Sequence, residues 1–214
     1  ANKKTIHMNK CLLYLSLFLF LTVGFAACDE VEEVDEYANW EQRNTAFIDS
    51  VRVLAGDRIV PLNGSGDIVD GYQIGEMFAL ETTASTTAGK QYVYCKKISE
   101  DQTGARPTYT DNVEVFYYGT LINGTKFDGN FEGFSATDRG TLDPAVKAPT
   151  EFDSPSSFSV SGVVTGWIVA LQYMHVGDRW MLYIPYQCGY GDSDYSSIPG
   201  YSTLTFDVQL EGID

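Results

Sequence analysis

Beyond residue 27 the chain has one histidine, His175, in the run Met174-His175-Val176-Gly177-Asp178, which reads as a solvated turn between a helix and the next strand. Nucleophilic hydrolysis needs a base beside its serine or cysteine. With one turn histidine and no Gly-x-Ser-x-Gly or His-Glu-x-x-His run, a hydrolase is disfavoured. Asp128-Gly129-Asn130-Phe131-Glu132-Gly133 opens like a calcium loop, yet its twelfth position is Arg139 where a bidentate Glu is required, so it reads as a polar turn. Gly64-x-Gly66 has neither a third glycine nor a following Lys-Ser/Thr, which argues against a phosphate cradle. What the chain does supply is aromatic surface at strand ends and at a helix start: Tyr117, Phe127, Phe158, Trp167, Tyr190 and Phe206. Aromatics in strands are ordinarily core. Gathered at one point with a few polar groups, they would make a small apolar binding site.

The elements that must position them are legible from periodicity. Val113, Val115 and Tyr117 alternate with Glu114, Phe116 and Tyr118, and Leu204, Phe206, Val208 and Leu210 alternate with Thr205, Asp207, Gln209 and Glu211. Both patterns predict half-buried antiparallel strands. Trp180, Leu182 and Ile184 predict a third and Tyr92-Val93-Tyr94-Cys95 a fourth. One helical stripe interrupts them, Val164, Trp167, Ile168, Leu171 and Met174. A sheet with one short helix must lay that helix across its apolar face, an α+β arrangement with a shared core. Upstream, Trp40, Phe47, Val51 and Leu54 predict an amphipathic helix over about 37–55, either packed on the main domain or offered to a partner. From Gly56 to Lys90, glycines, Pro61 and the Thr-Thr-Ala-Ser-Thr-Thr stretch predict loops and a short strand or two.

The chain has 214 residues, 44% apolar and 14% aromatic, enough for one principal domain. It carries 29 acidic against 14 basic side chains; without residues 1–27 the balance is 29 against 11, a formal −18. Such a surface repels phosphate backbones, so no nucleic-acid partner is expected. Lys3, Lys4 and Lys10 precede an apolar run from Cys11 to Ala27, which predicts an export signal over 1–27; seventeen residues are at the short limit for a membrane span, the competing reading. Gly24-Phe25-Ala26-Ala27-Cys28 resembles a bacterial lipobox, which implies a lipidated Cys28 followed by an acidic tether over 28–36 and anchoring in the cell envelope, on a periplasmic or surface face; ordinary cleavage is the alternative. Cys95 and Cys188 remain, as a disulfide or as two buried thiols.

Several local runs, in order, carry a family resemblance. Val113-Glu-Val-Phe-Tyr117-Tyr-Gly-Thr-Leu-Ile-Asn-Gly-Thr-Lys-Phe127-Asp128 resembles the FKBP signature of strand, tight turn and returning Lys-Phe-Asp. Val163-Val164-Thr-Gly-Trp167, Met174-His-Val-Gly-Asp-Arg179, Tyr190-Gly, Ile198-Pro199 and Ser202-Thr-Leu-Thr-Phe206-Asp-Val-Gln-Leu follow in the family order, over a little more than half the chain. The resemblance implies an FKBP-like antiparallel sheet wrapped around one short helix, with an N-terminal accessory helix. The isomerase domain would span 90–214, after a helix-and-loop extension over 37–89. It implies a prolyl pocket with Trp167 as floor, Tyr117, Phe127 and Phe206 as walls, and Phe158, Val163, Val164 and Ile198 lining the approach. Tyr190 would offer its hydroxyl to one substrate carbonyl, the Val164 N–H would hold another, and Asp128 would sit beside the twisting amide.

The implied activity is peptidyl-prolyl cis-trans isomerisation of exported polypeptides, with no cofactor or metal and a monomeric enzyme. Rotating an X-Pro bond meets a barrier of about 18–20 kcal/mol and needs no acid or base. The twisted amide has lost its charge-separated resonance form, so a water-poor pocket favours it over the planar ground state. Two departures flank the pocket: an insertion at about 129–157, longer than the loop family members use, and a compressed stretch after Tyr190. They motivate one alternative, an FKBP fold retained as a non-catalytic binding module or chaperone. A second alternative is an envelope adhesion protein working through the N-terminal helix.

Overall fold

The computed structural model describes residues 35–86 and 89–214; the expected signal, Cys28 and most of the acidic tether lie outside the described residues. Helix α1 (Trp40–Ala55) leads to β1 (Ile59–Val60), a short α2 (Gly66–Asp70), and the hairpin β2 (Met77–Thr86) and β3 (Gly89–Ser99). Then come β4 (Asn112–Thr120), β5 (Lys126–Gly129), β6 (Ser156–Ser159), α3 (Thr165–Leu171), β7 (Arg179–Ile184) and β8 (Leu204–Ile213). The strands form one mixed sheet in the order β1-β2-β3-β7-β8-β4-β5, with β6 paired to β4 off this path. β1 runs parallel to β2; the other pairings are antiparallel.

The register sorts side chains into two faces, because neighbours across a ladder point the same way. Phe78, Cys95, Leu182, Phe206 and Gly119 lie in one cross-sheet row. Helix α3 covers that face, its Trp167 ring 5.2 Å from the Phe206 ring. The opposite face holds Met77, Ala79, Tyr94, Met181 and Tyr183, which form a second core with Val51 and Ala55 of α1 and with Phe134 and Leu142 of the long β5–β6 connection, residues 130–155. The sheet is therefore covered on both sides.

That arrangement corrects the expectation of half-buried strands. β7 is buried at all six positions, and β8 buries even Thr205 and Asp207, because α1 and the β5–β6 connection roof the face that would otherwise meet water. The charged positions on this face are paired, while the Thr205 hydroxyl is buried with no partner among the described residues. Arg179 donates from Nε and Nη2 to Asp207 at 2.9 and 2.6 Å, and to the carbonyls of Pro144 and Lys147 at 3.0 and 2.9 Å. Asp207 also accepts the Phe134 N–H at 2.8 Å. One buried ion pair thus fastens the β5–β6 connection to the sheet, with the Arg179 guanidinium 5.4 and 5.0 Å from the centres of the Phe131 and Phe134 rings.

Other differences have local causes. Helix α1 begins at Trp40, and its inward face is Trp40, Asn44, Val51 and Ala55; Leu54 is 61% exposed, turned about 60° from Val51 and about 100° from Ala55. The threonine-rich stretch continues β2, as its β-branched residues favour, so 56–90 contains a ten-residue strand and not mainly loops. Helix α3 ends at Leu171, and Met174 follows it in a buried turn. His175 is buried instead of solvated, its N–H donating to Asp178 Oδ2 at 2.9 Å. Cys95 and Cys188 are both free thiols, each pushed up by burial.

Candidate active site

The site forms where β4, β5, β8 and α3 meet. Val164 caps α3 with extended backbone (φ −63°, ψ 151°), and its carbonyl accepts the Trp167 and Ile168 N–H groups at 2.9 and 3.1 Å. This start aims Trp167, 3% exposed, at the concave side of β4 and β8. Three rings surround it edge-on. Tyr117, Phe158 and Phe206 lie 5.6, 5.8 and 5.2 Å from Trp167, and Tyr117 lies 5.5 Å from Phe158, with interplanar angles of 77–86°. Phe127 stands behind Phe206 at 5.3 Å and 86°. Edge-to-face packing sets ring edges against ring faces, which fixes the wall geometry. The Trp167 Nε1 is buried with no partner among the described residues.

The polar groups are few and tied down. The Tyr117 hydroxyl donates to Asp128 Oδ1 at 2.9 Å, and the Gly129 N–H donates to the same oxygen at 2.8 Å. Asn130 Oδ1 accepts the Tyr117 N–H at 2.9 Å, while its Nδ2 donates to Val115 O and Ser156 Oγ. The Asp-x-Asn pattern that opens like a calcium loop is thus engaged in pinning β5 and β6 to β4. Burial first, and Asp128 second, hold the Tyr117 hydroxyl well above the ordinary tyrosine range; burial, Tyr195 and Asp128 push Tyr190 up as well. Both phenols stay neutral at physiological pH.

A cavity of about 370 Å³ opens among Tyr117, Asp128, Phe158, Val163, Val164, Trp167, Tyr190 and Phe206, joined by Gly162 and Tyr195. Two residues expected in the lining are elsewhere: Phe127 supports Phe206 from outside, and Ile198, 6% exposed, holds Tyr195 through two 2.9 Å backbone hydrogen bonds. Tyr195 was not expected. Its ring stacks on Tyr190 at 4.3 Å and 5°, and the available signal was a second tyrosine in an otherwise Gly/Asp/Ser loop.

The model of the FKBP-type peptidyl-prolyl cis-trans isomerase family matches residues 104–211, half of the chain and every residue just described in the cavity. The chain belongs to the FKBP family. This FKBP chain is 34% identical over 153 residues to the FKBP-type peptidyl-prolyl cis-trans isomerase FkpA of Aeromonas hydrophila, covering 69% of this chain and 48% of that protein. It is 39% identical over 131 residues to the FKBP-type 22 kDa peptidyl-prolyl cis-trans isomerase of Escherichia coli, covering 61% and 52%. The chain therefore spans about half the length of these curated relatives. A crystal structure of a peptidyl-prolyl cis-trans isomerase from Pseudomonas syringae superposes with a TM-score of 0.50 at 19% identity, covering 83% of this FKBP chain and 96% of that one, a likeness of fold alone.

Proposed function

We propose that the chain is a peptidyl-prolyl cis-trans isomerase acting on proline-containing polypeptides, with residues 90–214 as the isomerase domain and 37–89 as its extension. The observation that carries this reading is the ring cage about Trp167, open to a cavity of about 370 Å³ that has room for a proline ring and its flanking backbone and is bordered by a single carboxylate. Proline's ring would rest on the Trp167 indole, between Tyr117 and Phe206. The Tyr190 hydroxyl and the Val164 N–H would orient the flanking carbonyls. Asp128 keeps Tyr117 in place and sits where the twisting amide nitrogen becomes more basic. Catalysis is differential: the apolar cage holds the less polar twisted amide better than the planar one. Each 1.36 kcal/mol of that difference gives about tenfold in rate, so a modest preference suffices. A Trp167→Leu variant tests the cage: isomerase turnover falls at unchanged fold, and retained turnover defeats the reading.

The same proposal assigns residues 1–27 as an export signal and Cys28 as a lipidated anchor in the bacterial envelope, on the lipobox resemblance. Cys28→Ala should move the protein from membrane to soluble fractions; unchanged membrane association would contradict the anchor.

A further inference from the structure

The proline-side wall of the cavity is a flap, residues 190–198, that carries Tyr190 and Tyr195. Its two ends are stitched together at the base. The Tyr201 N–H donates to Gly191 O at 3.1 Å, and the Gly200 N–H to Asp194 Oδ1 at 2.8 Å. A Cβ on Gly200 would lie 2.3 Å from Asp192 O, so the strands of the base touch. Tyr201 holds a left-handed backbone (φ 62°), and its ring packs on Tyr186 at 5.1 Å. A non-glycine residue in that region keeps its conformation only where the surroundings impose it.

Those surroundings come from helix α1, about 160 residues away in sequence. Trp40 Nε1 donates to Ser202 Oγ at 2.8 Å, and Ser202 passes its own hydrogen to Pro199 O at 2.6 Å. Asn44 Oδ1 accepts the buried Thr203 N–H at 2.7 Å, while Asn44 Nδ2 donates to Trp40 O at 2.8 Å. Glu41, on the same helix end, is the leading influence that raises the Tyr201 phenol. Asn44 is 2% exposed in mid-helix, where a polar side chain is unfavourable unless its partners are met. The partner it meets is the flap base.

We propose that Trp40 and Asn44 are positioning residues for the prolyl site: α1 is a buttress that sets the flap, and through Tyr190 and Tyr195 sets affinity for the residues flanking proline. This rests on the reading of the cavity as the prolyl site, and the test separates the two. Trp40→Phe removes one donor and keeps an aromatic ring; Asn44→Ala orphans the Thr203 N–H; Val69→Ala, at a buried position of α2 outside both α1 and the flap, lowers stability. Amide exchange at Gly191 and Tyr201 should quicken about three- to tenfold in the first two variants, the worth of one ordinary hydrogen bond, and stay as in the parent in Val69→Ala. Peptide KM should rise by a like factor while kcat holds. Unchanged exchange in the folded Trp40→Phe and Asn44→Ala proteins, or an equal rise in Val69→Ala, overturns the buttress. Exchange that responds in a protein without isomerase activity upholds the buttress and overturns the isomerase reading instead.

Discussion

Replacing Gly119 by alanine probes the cavity wall from behind. Gly119 lies in β4 opposite Asp128 on one side and Phe206 on the other. A Cβ there would fall 2.7 Å from Phe206 Cε1 and 2.8 and 2.9 Å from Phe127 Cζ and Cε2. Carbon atoms in ordinary contact are about 3.5 Å or more apart, so each ring must withdraw by roughly 0.7 Å. Overpacking of this kind costs about 1–3 kcal/mol. The loss of a flexible glycine from the unfolded chain offsets about 0.5–1 kcal/mol of it. The net is a destabilisation of roughly 0.5–2 kcal/mol by denaturant unfolding. Activity should suffer more, because Phe206 packs on Trp167 at 5.2 Å and lines the cavity, so its displacement is carried into the site. Should the shift disfavour the twisted amide by about 1.4 kcal/mol, kcat/KM for a proline peptide falls tenfold. Phe127→Leu in the same chain makes room behind Phe206, so the double variant should recover a good part of both losses. Wild-type stability and turnover in Gly119→Ala, or a double variant whose losses simply add, would refute the wall geometry.

Three further outcomes follow from burial and pairing. Arg179→Met leaves Asp207 as an uncompensated buried charge and should cost about 3–5 kcal/mol in denaturant unfolding, while Arg179→Met with Asp207→Leu should regain most of it; equal losses would mean the pair does not fasten the β5–β6 connection. Because burial and Asp128 raise Tyr117 above its ordinary value of 10.0, its neutral form contributes stability that is whole below pH 10 and is lost as pH rises through the folded-state value. Tyrosinate absorbance and unfolding measured above pH 10 should show a smaller alkaline loss in Tyr117→Phe than in the parent, and an equal loss would contradict the assignment. In a chain starting after Cys28, Cys95 and Cys188 should resist a thiol reagent when native and both react on unfolding; immediate native reaction would contradict their burial.

The central strands and α3 were legible because their apolar residues repeat with clean periods, and the cavity because Tyr117, Trp167, Tyr190 and Phe206 sit in short, ordered runs. What period alone hid was the second layer. Alternation in β8 reads Thr205 and Asp207 as solvent-facing, whereas Asp207 meets Arg179 and Phe134 from segments distant in sequence. Asn44, four residues after Trp40 and three before Phe47, shares the apolar stripe of α1, and only the distant Thr203 N–H shows what its polar side chain meets there. His175 is buried by the turn it occupies, which no local pattern announces. Leu54 and Ala55 show the opposite error: hydrophobicity favoured the leucine, but helix geometry puts the smaller residue inside. Ile198 and Tyr195 exchanged roles because a tight two-hydrogen-bond turn sets which faces the cavity.

The most direct test is the rate of a proline-limited refolding reaction with residues 29–214 added, with and without a macrolide directed at FKBP pockets. The account predicts acceleration that rises with protein concentration, is abolished by the macrolide and is lost in Trp167→Leu. A folded, monodisperse protein that leaves the slow phase unchanged would contradict it.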